Sequence, residues 1–300
     1  MDASDLRFFL AVCEAGSMSG ASEALFTVQS NVTSRIRKLE DELGTTLFVR
    51  GARGVALTPA GERLLPHARR VSMALRDASA SVSDSDTLAG RLSIGALETT
   101  TASRLSPYLA AFTRRHPDVD LSIITGTSRE LVDQVLAGRI DGAFVGGRVY
   151  HKEIEDQPIF KEELVVVAAK EHRDLSDSLG MANLKLLVLR PTCVYRTLLE
   201  TLLIRNDIRD YRVLEFATLE SIIGGISANI GISLLPRFLI DNTYAGYPLS
   251  VHAIDPSLAI METTFISARE RPRAAALRAF LDIVRPDNLL RHPTSHLMSR

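Results

Sequence analysis

The fold is decided by residues 17–61, which read SMSGASEALFTVQSNVTSRIRKLEDELGTTLFVRGARGVALTPAG. Within this stretch Val32, Ile36, Leu39 and Leu43 recur at spacings of four, three and four residues. This spacing places their side chains along one face of a helix, which we expect to be buried. A shorter helix and a tight turn precede it, so the stretch predicts a helix-turn-helix.

Polar and cationic side chains occupy the rest of the longer helix. The candidate DNA contacts are Gln29, Ser30, Asn31, Thr33, Ser34, Arg35, Arg37 and Lys38. Such a face suits the major groove, where a glutamine amide can make two hydrogen bonds to adenine. Two alternatives stay open. Gln29 could only begin the helix, and the cations could form salt bridges with Glu40, Asp41 and Glu42.

A basic hairpin follows this helix. Segments 47–50 and 55–58 flank Gly51-Ala52-Arg53-Gly54, where the glycines permit the turn of a two-stranded wing. Wings of this kind lie against the duplex, so we expect Arg50 and Arg53 to contact backbone phosphates or the minor groove. The alternative is that both arginines are solvated hairpin charges.

Two hydroxyl side chains are predicted to cap the helices of this motif. Ser17 precedes the shorter helix and Thr27 precedes the longer one, where each can accept a hydrogen bond from a backbone N–H. Upstream, Leu6, Phe9 and Cys13 share one face of a first predicted helix. Cys13 is therefore expected to be a small core residue rather than a reactive thiol.

A long helix is predicted to begin at Thr58 and Pro59. Its apolar residues recur at alternating spacings of four and three, at Leu64, Ala68, Val71, Leu75, Ala78 and Val82. This heptad seam predicts a dimerisation helix ~40 Å long at 1.5 Å per residue. The alternative is that the seam packs against its own amino-terminal domain.

From residue 91 onward, predicted strands alternate with predicted helices. The strands lie at 91–96, 120–125, 140–146, 164–169, 184–189, 212–216, 230–236 and 263–268. The helices lie at 99–115, 128–137, 194–204, 218–228 and 272–284. This alternation predicts two small α/β lobes with a mostly parallel sheet, in which the last strand returns to the first lobe. A ligand cleft is expected between the lobes.

Composition excludes several classes of protein. The chain has 300 residues and a formal net charge of -1, so it is not a basic nucleic-acid coat. Its two cysteines, Cys13 and Cys193, cannot build a disulfide scaffold or a CxxC metal site. His292 and His296 lie four residues apart without a carboxylate or cysteine partner nearby, so we expect no metal site and no cofactor.

The sequence contains no recognisable signal for secretion or membrane insertion. The amino terminus lacks a cleavable signal pattern, and the apolar run at 219–236 is interrupted by glycines and polar residues. We therefore expect a cytoplasmic protein without a membrane partner.

Over essentially its whole length the chain resembles the LysR-type transcriptional regulators. The amino-terminal match is carried by Ser17, Ala21, Ala24, Leu25, Gln29, Ile36, Arg37, Leu39, Glu40, Leu43, Gly44, Leu47, Phe48, Arg50, Leu57, Thr58, Ala60 and Gly61. The looser carboxy-terminal match is carried by the strand GRLSIGA at 90–96, by His116-Pro117-Asp118-Val119 and by residues 231–236. Three positions depart from the family pattern: Val28 stands where a serine cap is common, Ser34 where an arginine is common, and Asn229 where a glycine is usual.

The resemblance implies a fold, a function and partners. The fold is α/β, with a largely α-helical winged helix-turn-helix head at 1–58, a long linker helix at 59–89 and a two-lobed effector domain at 90–300 that resembles a periplasmic binding protein. The function is that of a prokaryotic, ligand-responsive, sequence-specific transcription regulator. The expected partners are double-stranded DNA, a small-molecule effector, further copies in a homodimer or homotetramer, and RNA polymerase.

Candidate effector contacts follow the predicted strands of both lobes. The first lobe offers Thr99, Thr100 and Thr101 and the turn Thr127-Ser128, where hydroxyls and helix-start N–H groups suit an anion. Capping alone is the alternative for these threonines. The second lobe offers Cys193, Arg196 and Thr218.

Arg196 is the residue from which we predict the charge of the effector. A guanidinium can bind a carboxylate through two hydrogen bonds, so we expect a small, polar, anionic effector. A salt bridge from Arg196 to Glu200, four residues along the same helix, is the alternative. Glu98 could reject anions or pair with a cation, and Cys193 is either inert packing or a redox-sensitive thiol.

Two other functions are alternatives to a regulator. A solute-binding protein would share the two lobes, but it would carry a signal peptide and no helix-turn-helix. An enzyme on a bilobal fold would need paired acid and base groups, and the sequence offers only Glu98 with no GxSxG, HExxH, GxGxxG or phosphate-loop motif. We therefore expect no catalytic residues.

Overall fold

The computed structural model describes residues 1–51, 54–81, 88–189, 193–269 and 275–284. Several predictions fall outside these residues: the placement of Arg53, Val82, His292 and His296, and the predicted start of the last helix at residue 272. The side chain of Arg50 also lies outside the description. The chain divides into two compact units, of which the first holds the head and the linker helix.

The first unit is a winged helix-turn-helix. Its elements are α1 (Ala3–Ala15), α2 (Met18–Ala24), α3 (Gln29–Leu43), β1 (Phe48–Gly51), β2 (Gly54–Leu57) and α4 (Pro59–Ser81). Ser17 caps α2 as predicted, because its Oγ accepts from the Gly20 N–H at 3.0 Å. At the start of α1, Asp2 and Asp5 form a reciprocal capping box.

The buried stripe of α3 closes the core of the head. Val32, Ile36 and Leu39 are buried against α1 residues such as Phe9, as the spacing predicted. Leu43 differs, since it is 38% exposed at the end of the helix. The Glu40 carboxylate accepts from the Leu47 N–H at 2.7 Å, which ties α3 to the start of the wing.

The amino terminus of α3 differs from the prediction. The capping residue is Val28, which makes no side-chain capping bond. The prediction that Thr27 caps α3 is wrong, because Thr27 lies one residue before the capping position. The Thr27 N–H donates to the Ser22 carbonyl at 2.9 Å, in the turn that precedes α3. Its Oγ1 instead accepts from the Asn31 amide at 3.0 Å.

The seam of α4 is divided between two environments. The helix begins at Pro59 as predicted, and Thr58 Oγ1 caps it by accepting from the Gly61 N–H at 3.1 Å. Leu64 and Ala68 pack into the core of the head. Farther along, Val71 is 41% exposed and Leu75 is 48% exposed. The first part of the seam therefore packs intramolecularly, while the middle presents apolar surface.

The second unit begins with β3 (Gly90–Ala96), α5 (Glu98–Thr100), a π-helical turn (Thr101–Leu105), α6 (Ser106–Arg115), β4 (Val119–Thr125), α7 (Ser128–Leu136) and β5 (Gly142–Gly146). It continues with β6 (Ile154–Ala169), α8 (Leu175–Leu179), β7 (Lys185–Val188), α9 (Val194–Arg205), β8 (Arg212–Glu215) and α10 (Leu219–Ser227). It ends with β9 (Ser233–Pro236), α11 (Arg237–Thr243), β10 (Leu249–Ala253), α12 (Pro256–Ala259), β11 (Ile260–Ala268) and α13 (Ala275–Val284).

Two lobes surround separate apolar cores. The first-lobe core packs Phe112, Phe144 and Phe280 edge to face with their neighbours. The second lobe packs around strands β6, β7 and β9, with Leu187 and Leu235 fully buried. The long strands β6 and β11 run through both lobes, so they form the hinge between them.

The sheet is more antiparallel than predicted. Strands β3, β4 and β5 pair in parallel, as do β7 and β8. However, β6 pairs antiparallel with β9, β10 and β11, and β11 pairs antiparallel with β5. The strand order of the sheet is β10-β6-β11-β5-β3-β4, with β9 also on β6. The prediction missed β10 and the first half of β6, because the latter is only partly buried and lacks a continuous apolar run. None of the described helices is both long enough and apolar enough to cross a membrane.

Candidate nucleic-acid interface and ligand cleft

One face of α3 carries most of the predicted DNA contacts. Side chains along the exposed face of this helix form a continuous polar surface made of Gln29, Ser30, Thr33, Ser34, Arg37, Lys38 and Asp41. At 3.6 residues per turn these positions lie opposite the buried stripe of Val32, Ile36 and Leu39. The helix can therefore lay this face against a partner without disturbing its own core.

The cations on this face form no ion pair within the part of the head that the structure describes. Arg37 and Lys38 are exposed, and neither forms an ion pair with any residue that the structure describes. The predicted alternative of salt bridges along α3 is not formed for these two. Glu40 bonds to backbone N–H groups of the wing, and Glu42 pairs with the terminal amine of Met1.

Arg35 and Asn31 lie off this face, contrary to the prediction. Arg35 Nη1 lies 3.1 Å from Asp5 Oδ1, and its guanidinium carbon lies 5.7 Å from the centre of the Phe8 ring. Asp5 is 1% exposed and needs a counterion, which explains why Arg35 turns towards α1. Asn31 is bonded to Thr27 as described above. Both side chains therefore make contacts within the head.

The wing is an antiparallel pair held against the first helices. Arg50 pairs with Val55 across the two strands, and the Val55 N–H donates to the Gly16 carbonyl at 3.0 Å. Gly54 has a φ of 117°, and a Cβ there would lie 2.5 Å from the Gly16 oxygen. Only glycine suits this close approach.

The cleft between the lobes encloses a small cavity of about 30 Å³. The predicted contacts Thr99, Thr127, Ser128 and Cys193 line it, together with Leu97, Glu98, Thr125, Gly126, Leu189, Val194 and Tyr195. Residues from the ends of β3 and β4 thus face residues from the start of α9. The structure brings four of the eight predicted effector residues together here.

Thr99 joins the two lobes. Its Oγ1 lies 2.8 Å from the Tyr195 hydroxyl, and both side chains are buried. Burial raises the pKa of Tyr195, so the phenol stays protonated at neutral pH. The prediction missed Tyr195 because this bond joins residues 96 positions apart.

The other two threonines of this segment do not line the cleft. Thr100 is buried away from it. The hydroxyl of Thr101 donates to the Leu97 carbonyl at 3.1 Å, which is local helix bonding. The prediction of three adjacent contacts fails because successive residues of a helix point in different directions.

Thr127 and Ser128 face the cleft but already have partners. The Thr127 N–H donates to Glu130 Oε2 at 2.8 Å, and the Glu130 N–H donates to Thr127 Oγ1 at 3.3 Å. This capping box satisfies the start of α7. Ser128 Oγ accepts from the Gly146 N–H at 3.1 Å.

Arg196 and Thr218 correct the predicted second-lobe contacts. Arg196 Nε lies 3.0 Å from Glu200 Oε1, and Nη1 lies 3.8 Å from Glu215, so the alternative of a salt bridge along α9 is the one formed. Thr218 Oγ1 accepts from the Ser221 N–H at 3.2 Å and caps α10. Neither residue lines the interlobe cleft.

Both cysteines are free thiols in apolar surroundings. Burial raises the pKa of Cys193 above its usual range, and burial raises the pKa of Cys13 to about 12. A raised pKa disfavours the thiolate, which is the reactive form. Cys13 packs against the head core as predicted.

Two more interlobe contacts were not predicted. Glu98 Oε1 accepts from the Leu219 N–H at 2.9 Å, which places a first-lobe carboxylate at the start of α10. Arg104 makes two bonds of 2.9 Å to the buried Glu162 on β6, and its guanidinium carbon lies 3.6 Å from the centre of the Phe238 ring. These contacts hold both lobes to the segment 98–104.

Two family models match the chain. Residues 3–62 match the family model for the bacterial regulatory helix-turn-helix protein of the lysR family. Residues 85–288 match the model for the LysR substrate binding domain. Together the two models span both units of the chain.

Two bacterial regulators match almost the whole chain in sequence. The HTH-type transcriptional regulator YusT of Bacillus subtilis is 40% identical over 286 residues, covering 95% of this chain and 96% of YusT. The regulator GltR of the same organism is 34% identical and covers 96% of this chain and 97% of GltR.

Solved structures show the same fold at lower identity. A full-length OxyR from Pseudomonas aeruginosa superposes with a TM-score of 0.75 at 21% identity, covering 95% of this chain and 94% of OxyR. CbnR complexed with its target DNA superposes with a TM-score of 0.65 at 23% identity, covering 95% of this chain and 99% of CbnR.

Proposed function

Because this chain belongs to the LysR family of bacterial helix-turn-helix transcriptional regulators, we propose that it reads its operator through the exposed face of α3. The observation that carries this proposal is the pair of exposed cations, Arg37 and Lys38, on a helix whose opposite face is buried. Exposed cations that form no ion pair with the described residues are suited to phosphate contacts. The proposed role is regulatory rather than catalytic, in keeping with the family.

Base preference and affinity come from different residues in this proposal. Gln29 begins α3 and reads adenine through its amide, while Ser30, Thr33 and Ser34 contact neighbouring base edges or phosphates. Arg37 and Lys38 neutralise phosphates. The wing arginines Arg50 and Arg53 remain proposed contacts to the backbone or the minor groove.

The exposed middle of α4 supplies the surface for oligomerisation. Val71 and Leu75 present apolar side chains on a helix that already packs its first turns on the head. A second copy of α4 would cover them along the heptad seam. Two heads joined in this way would meet half-sites about one helical turn, or ~34 Å, apart, or a multiple of that distance.

The interlobe cleft is the proposed effector site. Thr99, Thr127, Ser128 and Cys193 line it, and the paired strands β6 and β11 form the hinge between the lobes. A ligand that touches both lobes favours one interlobe angle over others. That preference is the proposed origin of effector control over DNA binding.

Selection from a random duplex library tests the DNA-reading role. The full chain should enrich a defined, two-part motif. The variant Gln29→Ala should enrich a motif with relaxed preference at one base pair per half-site, at a cost of ~1–3 kcal/mol there. An unchanged motif in the variant would remove Gln29 from base reading, and failure to enrich any motif would contradict the proposal as a whole.

A further inference from the structure

We infer that the effector of this cleft is a small molecule bearing a protonated amine, and that Glu98 is the residue that selects it. This inference rests on the proposed effector site and names the ligand class for it. It reverses the charge expected from the sequence, and five observations lead to it.

The anion-binding groups of the first lobe are already occupied. At the start of α7, where a bound carboxylate would lie, the Glu130 carboxylate accepts from the Thr127 N–H at 2.8 Å. Thr127 Oγ1 is used in return by the Glu130 N–H. An external anion at this helix start would have to displace a carboxylate that the chain itself supplies.

The anion-binding groups of the second lobe are occupied as well. The Leu219 N–H at the start of α10 donates to Glu98, and the Ser221 N–H donates to Thr218. Arg196 pairs with Glu200 and Glu215 and does not line the cleft. No cationic side chain lines the cleft among the residues that the structure describes.

Glu98 is the charged side chain that faces the cleft in the described part of the chain. Its Oε1 bonds to Leu219, whereas Oε2 makes no hydrogen bond or ion pair with any described residue. The other ionisable lining groups, Cys193 and Tyr195, have raised pKa values through burial and are neutral. The described lining therefore carries one net negative charge, which favours a cation.

A second carboxylate lies near the helix start that Glu98 contacts. Glu220 lies in the first turn of α10, and its Oε1 accepts from the Tyr244 hydroxyl at 3.4 Å. Burial raises the pKa of Tyr244 to about 12, with further contributions from Glu220 and Glu98. Both carboxylates thus act on the same phenol near the start of α10.

The remaining polar groups suit an ammonium ion. An ammonium has three N–H donors and needs oxygen acceptors around it. Glu98 Oε2 offers a charge-assisted bond, and the hydroxyl oxygens of Thr99, Thr127 and Ser128, which line the same cleft, each have two lone pairs and can accept a further hydrogen bond. Glu98 already touches both lobes, so an amine bound to it would respond to the angle between them.

Thermal unfolding of the full chain with a matched set of small probes tests this inference. The probes are butylamine, 4-aminobutyrate, butyrate and butan-1-ol with their two- to six-carbon homologues, and the α-amino acids, at equal ionic strength. Compounds with an amine should raise the melting temperature and give measurable affinity by calorimetry. Glu98→Gln, which keeps the acceptor for Leu219, should weaken that affinity about tenfold or more, while the control Glu171→Gln should leave it unchanged.

Three outcomes would overturn the inference. These are stabilisation by carboxylates that lack an amine, amine affinity that survives Glu98→Gln, and the absence of stabilisation by every amine in the set. Binding to the selected duplex should be measured on the same preparation. This measurement shows whether the proposed DNA-reading role holds independently of the ligand class. A chain that binds its selected duplex and rejects all amines would contradict only the ligand class.

Discussion

The Thr99 hydroxyl lies 2.8 Å from the Tyr195 hydroxyl, in a buried bond that joins the two lobes of the effector domain. The two hydroxyls satisfy each other. A buried hydroxyl without a hydrogen bond would lower the free energy of unfolding by ~1–3 kcal/mol. The lobes of this cleft are therefore coupled before any ligand enters.

A double-mutant cycle measures this coupling. Thr99→Val and Tyr195→Phe should each lower the free energy of unfolding by ~1–2 kcal/mol, because each leaves one buried hydroxyl unpaired. The double variant should lose clearly less than the sum of the two, since it leaves neither. Thermal unfolding of the full chain provides the readout, and strictly additive losses would show that the two hydroxyls do not interact.

The Arg104 pair predicts a larger effect. Glu162 is 3% exposed and relies on two bonds from Arg104, so Arg104→Leu would leave a buried charge unpaired at a cost of ~3 kcal/mol or more. For a unit of this size, that cost corresponds to a fall of ~6–12 °C in its melting transition. The matched variant Arg114→Leu, on an exposed position of α6, should shift it by a degree or less. Equal shifts in the two variants would argue against the pair.

Thiol chemistry gives a pH-dependent prediction. The pKa values of Cys13 and Cys193 are raised by burial, so at pH 8 less thiolate is present than on an ordinary exposed cysteine. Native-state alkylation by iodoacetamide, followed by mass spectrometry, should be at least about tenfold slower than alkylation of the urea-unfolded chain, and it should accelerate as pH rises. Alkylation of Cys193 at the unfolded rate would instead identify it as a reactive thiol.

Oligomerisation through α4 can be tested at Val71. Val71→Asp would place a charge in an apolar interface, which costs several kcal/mol when the charge is unpaired. Sedimentation should then show dissociation to a smaller species with weakened operator binding. Ala74→Asp, on an exposed residue of the same helix outside the seam, is the control. An intact oligomer in the Val71→Asp variant would place the interface elsewhere.

Local patterns predicted much of the fold. The spacing of Val32, Ile36 and Leu39 correctly gave the buried face of α3, and Ser17 and Pro59 marked helix starts. These features depend on residues within one or two turns, where periodicity and capping chemistry are informative. Thr27 was wrong by one residue, which is the usual uncertainty at a helix boundary.

The cleft was harder to predict because its contacts are long-range. Glu98 meets the Leu219 N–H across 121 residues, and Arg104 meets Glu162 across 58. No periodicity links such pairs. Arg196 shows the converse, since its nearest partner, Glu200, lies one turn away and was visible in the sequence as the alternative to ligand binding. Thr99 and Thr127 correctly marked the position of the cleft in the sequence. Only the structure shows their hydrogen-bond partners.

If the exposed face of α3 lies on DNA, removal of the Arg37 charge should change the salt dependence of DNA binding. Affinity for the selected duplex should be measured across ionic strengths for the full chain, for Arg37→Ala and for Arg114→Ala as a charge-matched control. Removal of one phosphate contact should flatten the slope of log affinity against log salt by ~0.9 in Arg37→Ala and leave it unchanged in the control. An unaltered slope and affinity in Arg37→Ala would show that this face of α3 does not lie on the duplex.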